Sequence, residues 1–221
     1  MVTIMKSQLK STHIPRATIH RLATYVQVLE FMLRDEVEII SSKPLAQACG
    51  VNSSQVRKDL AYFGEFGIRG VGYNVKKLID AIKASLGVNR EWGMALIGAG
   101  NLGRALLNNQ TFIDRGFHIK AIFDCNPLKV GEKLHGIEVR CIEDLKKQTE
   151  QLSLEIGIIT TPPERAQRAC QHLLDAGINS ILNFAPARIK VPSYAHVEYV
   201  DFFHQLYGLA FKKTLYLLSE K

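Results

Sequence analysis

Cysteine is sparse in this chain, and tryptophan occurs once. The four cysteines, Cys49, Cys125, Cys141 and Cys170, are far apart and none belongs to a Cys-x-x-Cys pair, so neither a zinc knuckle nor a thioredoxin-like redox pair is expected. Cys49 and Cys170 fall in helical patterns and read as small buried hydrophobes. The seven histidines are scattered, with no His-Glu-x-x-His and no ligand cluster, so no metal site is expected. No run of about 18 apolar residues occurs, which argues against a membrane-spanning helix. The opening residues lack a secretory apolar core and cleavage site, which points to the cytoplasm. What remains, at 47% hydrophobic and 22% charged, is an ordinary globular composition long enough for two modest domains.

Charge is plentiful but uneven. Residues 1–85 hold 12 Lys/Arg against 7 Asp/Glu, and residues 86–221 hold 16 against 14. A basic first third suggests a polyanionic partner, although Lys-rich faces are often merely solvated.

The informative centre of the chain is Met94-Ala-Leu-Ile97 followed by Gly98-Ala99-Gly100-Asn101-Leu102-Gly103. A short apolar run of this kind reads as a buried parallel strand. Gly98 allows a tight turn out of it. Gly100 lets a pyrophosphate approach the backbone, and Gly103 lets the following helix pack on the strand. A second apolar strand, 118–124, ends in Asp124. That is where a dinucleotide-binding unit places the carboxylate that holds a ribose hydroxyl. Asp124 favours NAD over NADP, because a carboxylate repels a 2′-phosphate. Residues 125–127 supply no Arg, but Lys129 is close by.

Further on, 154–159 reads as a buried strand followed by Thr160-Thr161-Pro162. These residues are expected along the edge of the sheet where dinucleotides bind, with a simple turn cap as the alternative. A loop with a short strand over 131–139 and helices over 143–152 and 164–176 are expected. Strands over 178–182 and 197–201 follow, and Asn183-Phe184-Ala185-Pro186 leaves the first of these on the same edge.

The first third is helical in pattern. Residues 1–14 lack periodicity and read as a flexible arm, and 16–34 is an amphipathic helix. Residues 36–40 fit a short strand. Ser41 reads as the cap of a helix through 45–50, and Val51-Asn52-Ser53-Ser54 as a turn that supplies the cap of a third helix over 55–63. Two short helices joined by a Gly-containing turn make a helix-turn-helix. Ser53, Ser54, Gln55, Arg57 and Lys58 crowd the start and polar face of the last helix. Those side-chain types read base edges and clamp phosphates, though a solvated polar face is the plainer alternative. Residues 64–73 carry four glycines interleaved with Phe, Ile, Val and Tyr and suggest a β-hairpin wing, with Arg69 and Tyr73 toward DNA. A helix from Asn74 to Leu86 closes this part.

Gln55-Val-Arg-Lys-Asp-Leu60, Tyr62-Phe-Gly64, Gly67-x-Arg-Gly-Val-Gly-Tyr73, the glycine loop 98–103 and Ile181-Leu-Asn-Phe-Ala-Pro186 together resemble the bacterial redox-sensing repressor family Rex. The motifs lie in both halves of the chain. The resemblance implies a homodimer that binds a palindromic, A·T-rich double-stranded operator, senses NADH against NAD⁺, and leaves DNA on binding NADH. It also places Asn183 and Phe184 beside the nicotinamide.

The expected architecture is α/β: a winged helix-turn-helix domain (1–86), a Rossmann-like doubly wound parallel sheet (87–201) and a C-terminal dimerisation helix (202–221). That last helix is apolar nearly all round and calls for burial by a second subunit, with packing on its own domain as the alternative. Phe202, at its start, is expected near the nicotinamide, and Asp201 is expected to pair with Arg16 or Arg21. The rival reading, an NAD-dependent dehydrogenase, lacks a catalytic set. The Tyr73/Lys77 pair precedes the glycine loop, and His118, His135 and His204 have no evident acidic partner. An NAD-binding adaptor without DNA affinity is a third reading.

Overall fold

The structure is a computed structural model that describes residues 14–64, 66–68 and 70–219. The expected arm over 1–14 and the expected DNA contact Arg69 lie, but for Ile14, outside the described residues. The chain divides into two compact units, which meet between Arg90 and Glu91.

The first unit begins with helix α1 (Arg16–Arg34), whose Leu22, Tyr25, Val26 and Leu29 are buried at helical spacing. Strand β1 (Ile39–Ile40) and helices α2 (Ser42–Ala48) and α3 (Ser53–Ala61) follow. Then come β2 (Gly67–Ile68), β3 (Gly72–Asn74) and α4 (Val75–Leu86). The three strands pair antiparallel in the order β1-β3-β2, so the expected hairpin forms and β1 extends it to a small sheet. One core joins Leu45, Val56, Leu60 and Phe63 to α1 and to Val75, Leu78, Ile79 and Ile82 of α4.

One of the two expected caps does not form. Ser41 has the extended backbone of a cap residue, but its side chain caps nothing. Within the expected capping turn 51–54 it is Asn52 that caps α3, its carboxamide oxygen accepting the Gln55 N–H at 2.8 Å. Asn is as strong a cap as Ser, and its choice starts the helix two residues earlier than predicted.

The second unit comprises β4 (Trp92–Ile97), α5 (Asn101–Leu107), α6 (Gln110–Asp114), β5 (Phe117–Asp124), β6 (Lys133–Leu134) and β7 (Ile137–Cys141). A 3₁₀ turn (Ile142–Asp144), α7 (Leu145–Leu152), β8 (Leu154–Ile159), α8 (Pro163–Asp175), β9 (Ser180–Asn183), β10 (His196–Tyr199) and α9 (Phe202–Ser219) complete it. The seven strands run in the order β10-β9-β8-β4-β5-β7-β6. All pairs are parallel except β6–β7. The stretch 131–139, expected to be a loop with one short strand, is thus part of a β6–β7 hairpin that lengthens the sheet.

Both faces of the sheet are covered. Leu145, Ala166, Ala169, Cys170 and Leu173 pack on one side. Leu106, Leu107 and Phe112 pack on the other. This is the doubly wound Rossmann arrangement, and strand order reverses between β4 and β8. Cys170 is buried as expected, whereas Cys49 is only half-buried.

No described residue of α9 is buried. Its eight expected interface side chains, Phe202, Phe203, Leu206, Tyr207, Leu209, Phe211, Leu215 and Leu218, are each at least half exposed. Packing on its own domain, the alternative considered from sequence, does not occur. Asp201 has a local role at the start of this helix. Its carboxylate accepts the Phe203 N–H at 2.9 Å and so caps α9, while Arg21 is spent on Asp59 at 2.6 Å.

Candidate functional site

At the reversal of strand order, the ends of β4, β5 and β8 are bound together. Gly98 N–H donates to the Phe123 carbonyl at 2.8 Å, and Thr160 N–H donates to the Ile97 carbonyl at 2.9 Å. The Thr160 hydroxyl donates to the Gly98 carbonyl at 2.8 Å. Gly98 has φ +109°, a conformation open mainly to glycine. A methyl on Gly103 would run into the Gly98 carbonyl, so α5 depends on glycine there to sit close to the strand. Gly100 caps α5 and differs from both, since a methyl there would meet nothing within 4 Å. The space before Gly100 is open, as a pyrophosphate approaching the backbone requires.

Asp124 ends β5 almost wholly buried. It accepts the Ala99 N–H at 2.9 Å, the Asn126 N–H at 2.9 Å and Lys129 Nζ at 3.0 Å. Burial pushes this carboxyl up, but the hydrogen bonds from Asn126, Lys129 and Ala99 outweigh it and hold the group below the usual carboxylate range. Asp124 is therefore ionised at neutral pH and already paired with Lys129.

A cavity of about 810 Å³ opens over these strand ends. Of the expected cofactor residues, Gly98, Gly100, Leu102, Asp124, Thr160, Thr161, Pro162 and Phe184 line it. Thr161 Oγ1 is buried there without a hydrogen-bond partner, an unmet polar group that a bound ligand would satisfy. Ala99 reaches the site through its amide, Asn101 is the exposed first residue of α5, and Gly103 lies behind the loop. Asn183 is fully buried, and its side chain bonds Ala185 N–H and the Ala185 and Ala187 carbonyls at 3.0–3.1 Å. It shapes the turn that carries Phe184 and has no free polar group for a ligand. Phe202 does not line the cavity.

Sequence reasoning missed the far wall. Arg165, Arg168 and His172, from one face of α8, line the cavity with Asn126, Lys129 and Glu143. Arg165 donates to the Cys125 sulfur at 3.1 Å, so an Arg does stand beside the Asp124 loop, arriving from 40 residues away. The spacing at 165, 168 and 172 is the one signal that could have revealed this face. His118 also has an acidic neighbour after all, Glu91 at 3.7 Å, but both lie at the opposite end of the strands from the cavity.

In the first unit, α3 buries Val56 and Leu60 and turns Ser54, Arg57 and Lys58 to solvent, with Ser53 and Gln55 half-buried. Ser54 Oγ donates to Asn52 Oδ1 at 2.6 Å. Arg57 donates to Ser42 Oγ at 2.9 Å and so bridges the two helices of the motif. Tyr73, expected to face DNA, is half-buried on β3 against the core, where a methyl on Gly67 would strike its ring.

A helix-turn-helix with an antiparallel wing, joined to a Rossmann unit with an open phosphate loop and an ionised strand-end Asp, defines a nucleotide-responsive DNA-binding regulator. Comparison with known proteins narrows the class. Residues 89–187 match the family described as "CoA binding domain" and residues 13–61 the family described as "Putative DNA-binding protein N-terminus". The chain is 62% identical over 203 residues to the redox-sensing transcriptional repressor Rex of Maridesulfovibrio salexigens, covering 92% of this chain and 97% of that one. It is 57% identical to the Rex of Solidesulfovibrio magneticus over 94% of each chain. Among solved structures it resembles RSP, a Rex-family repressor, in complex with β-NAD⁺ and operator DNA, at TM-score 0.87 and 37% identity, covering 95% of this chain and 97% of that one. RSP in complex with β-NADH gives TM-score 0.86 and 35% identity, over 95% and 99% of the two chains. The chain belongs to the Rex family of redox-sensing transcriptional repressors.

Proposed function

We propose that this chain represses transcription as a homodimer, binding a palindromic operator through α3 and the wing and leaving it when NADH occupies the Rossmann cavity. The observation that carries the reading is the pairing, in one chain, of a helix-turn-helix with a cavity that fits a dinucleotide. Gly100 leaves room for phosphate, Asp124 stands at the ribose position and the Thr161 hydroxyl waits for a partner. RSP, similar over the full chain, was solved with each of the two ligands, NAD⁺ with operator DNA and NADH. Near-complete coverage of relatives named as repressors favours a regulator over a dehydrogenase.

The two redox forms differ in the charge and planarity of the nicotinamide ring. Phe184, held by the Asn183 turn, offers an apolar surface that favours the neutral ring. A ligand shifts an equilibrium only through its difference in affinity for the two states. Here that difference favours a closed dimer whose recognition helices no longer match half-sites about 34–36 Å apart. Exposed α9 supplies the dimer contact. Selection from a random-centred duplex pool tests the reading. A palindrome enriched without NADH and not enriched with it is expected, and no enrichment under either condition contradicts it.

A further inference from the structure

Asp59 lies on α3 but is not a DNA-facing residue. It is completely buried, and its carboxylate accepts five hydrogen bonds. Oδ1 accepts Thr18 Oγ1 at 3.2 Å, Arg21 Nη2 at 2.7 Å and Gln55 Nε2 at 2.9 Å. Oδ2 accepts Arg21 Nε at 2.6 Å and the Tyr25 hydroxyl at 2.8 Å. Four of the five donors come from α1, so the carboxylate is clamped from behind and cannot swing. The fifth donor, Gln55, is one turn earlier on α3, among the residues proposed to meet the operator.

This contact sets the orientation of Gln55. An ionised carboxylate only accepts, whereas a carboxamide has a donor end and an acceptor end. Gln55 must therefore turn its nitrogen to Asp59. One amide hydrogen is used there, leaving Oε1 and the second N–H. Those are the two groups with which a glutamine reads adenine at N6 and N7. A freely rotating amide would present either end.

We propose, resting on the reading of α3 as the recognition helix, that Asp59 is a positioning residue that fixes the Gln55 amide for one adenine in each half-site. The Thr18–Arg21–Tyr25 clamp on α1 holds Asp59 in register.

The test uses full-length protein and the duplex selected by the wild-type chain, with each half-site base pair replaced in turn at fixed salt. For the wild type, one A·T replacement costs about tenfold or more, within the range for a bidentate base contact. Gln55→Ala abolishes that preference and spares the others. Asp59→Asn, whose amide lets Gln55 turn over, reduces the same preference to within about twofold and leaves the remaining pattern intact. Adding it to Gln55→Ala changes the preference no further. Tyr25→Phe, which removes a donor but spares the Gln55 contact, retains the full preference. If Asp59→Asn weakens every duplex alike, or keeps the wild-type preference, the proposal fails and Asp59 is structural only. If Gln55→Ala changes no preference while the wild type still binds its selected duplex, the proposal fails and the DNA-binding reading stands. Failure of the wild type to prefer any duplex overturns both. Should Asp59→Asn not fold, NMR of the wild type with isotope-labelled glutamine decides. An immobilised Gln55 amide supports the proposal, and a rotationally averaged one overturns it.

Discussion

The Asp124 carboxylate, at the end of β5, accepts the backbone N–H of Ala99, 25 residues earlier, at 2.9 Å. This single bond ties the proposed ribose-binding group to the glycine loop. Asp124→Ala therefore removes a ligand contact and loosens the loop together. A hydrogen bond to a charged group contributes about 1.5–3 kcal/mol, so NADH affinity falls by about tenfold or more. Discrimination against NADPH narrows as well, because Lys129 is left without its carboxylate partner. Calorimetric titration with both nucleotides checks this.

The glycines of the loop separate packing from binding. Gly103→Ala forces a methyl against the Gly98 carbonyl and costs about 1–3 kcal/mol of stability, the usual range for overpacking. Gly100→Ala meets no neighbour within 4 Å, so thermal unfolding is unchanged while NADH affinity drops. Thermal melts paired with titration of each variant distinguish the two roles.

Much of this site was legible in the sequence, because glycine spacing and a strand-end acid are local signals with one mechanical meaning. The wall formed by Arg165, Arg168 and His172 was not, since its place depends on how α8 folds over the sheet. Asn183 belonged to the right motif, but its side chain is consumed within its own turn, a fact set by three backbone groups downstream. In the DNA-binding unit the two helices and the hairpin followed from pattern. The Asn52 cap and the Arg21–Asp59 pair did not, because Ser residues competed for the first and 38 residues separate the partners of the second.

Arg21→Ala leaves the Asp59 charge buried without its bidentate partner. Removing one member of such a pair costs about 3–5 kcal/mol. Burial raises the Asp59 carboxyl, but the bonds from Arg21, Gln55 and Tyr25 prevail and hold it below the ordinary 3.8. A carboxyl depressed in the folded state contributes stability above its unfolded value and loses it as pH falls through the folded value. The gap between wild type and Arg21→Ala is thus full at neutral pH and shrinks on acidification below about pH 4. Denaturant unfolding at both ends of that range measures it.

Leu209 and Phe211 are each more than 60% exposed on α9. Replacing both with Asp places two charges in the proposed subunit interface. Light scattering coupled to size exclusion is expected to show a monomer, with operator affinity reduced because the two half-sites are no longer engaged together.

Arg57 and Lys58 are exposed on α3 and are proposed to meet phosphate. Each Ala substitution weakens binding to all duplexes alike and lowers the slope of log affinity against log salt by about 0.9. NADH affinity is unaffected.

The most direct test of the whole account is fluorescence anisotropy of the selected, labelled duplex bound to the full-length protein at fixed salt, titrated with NAD⁺, NADH and NADPH. The account predicts release by NADH at concentrations where neither NAD⁺ nor NADPH displaces the protein. DNA binding indifferent to all three nucleotides would contradict it.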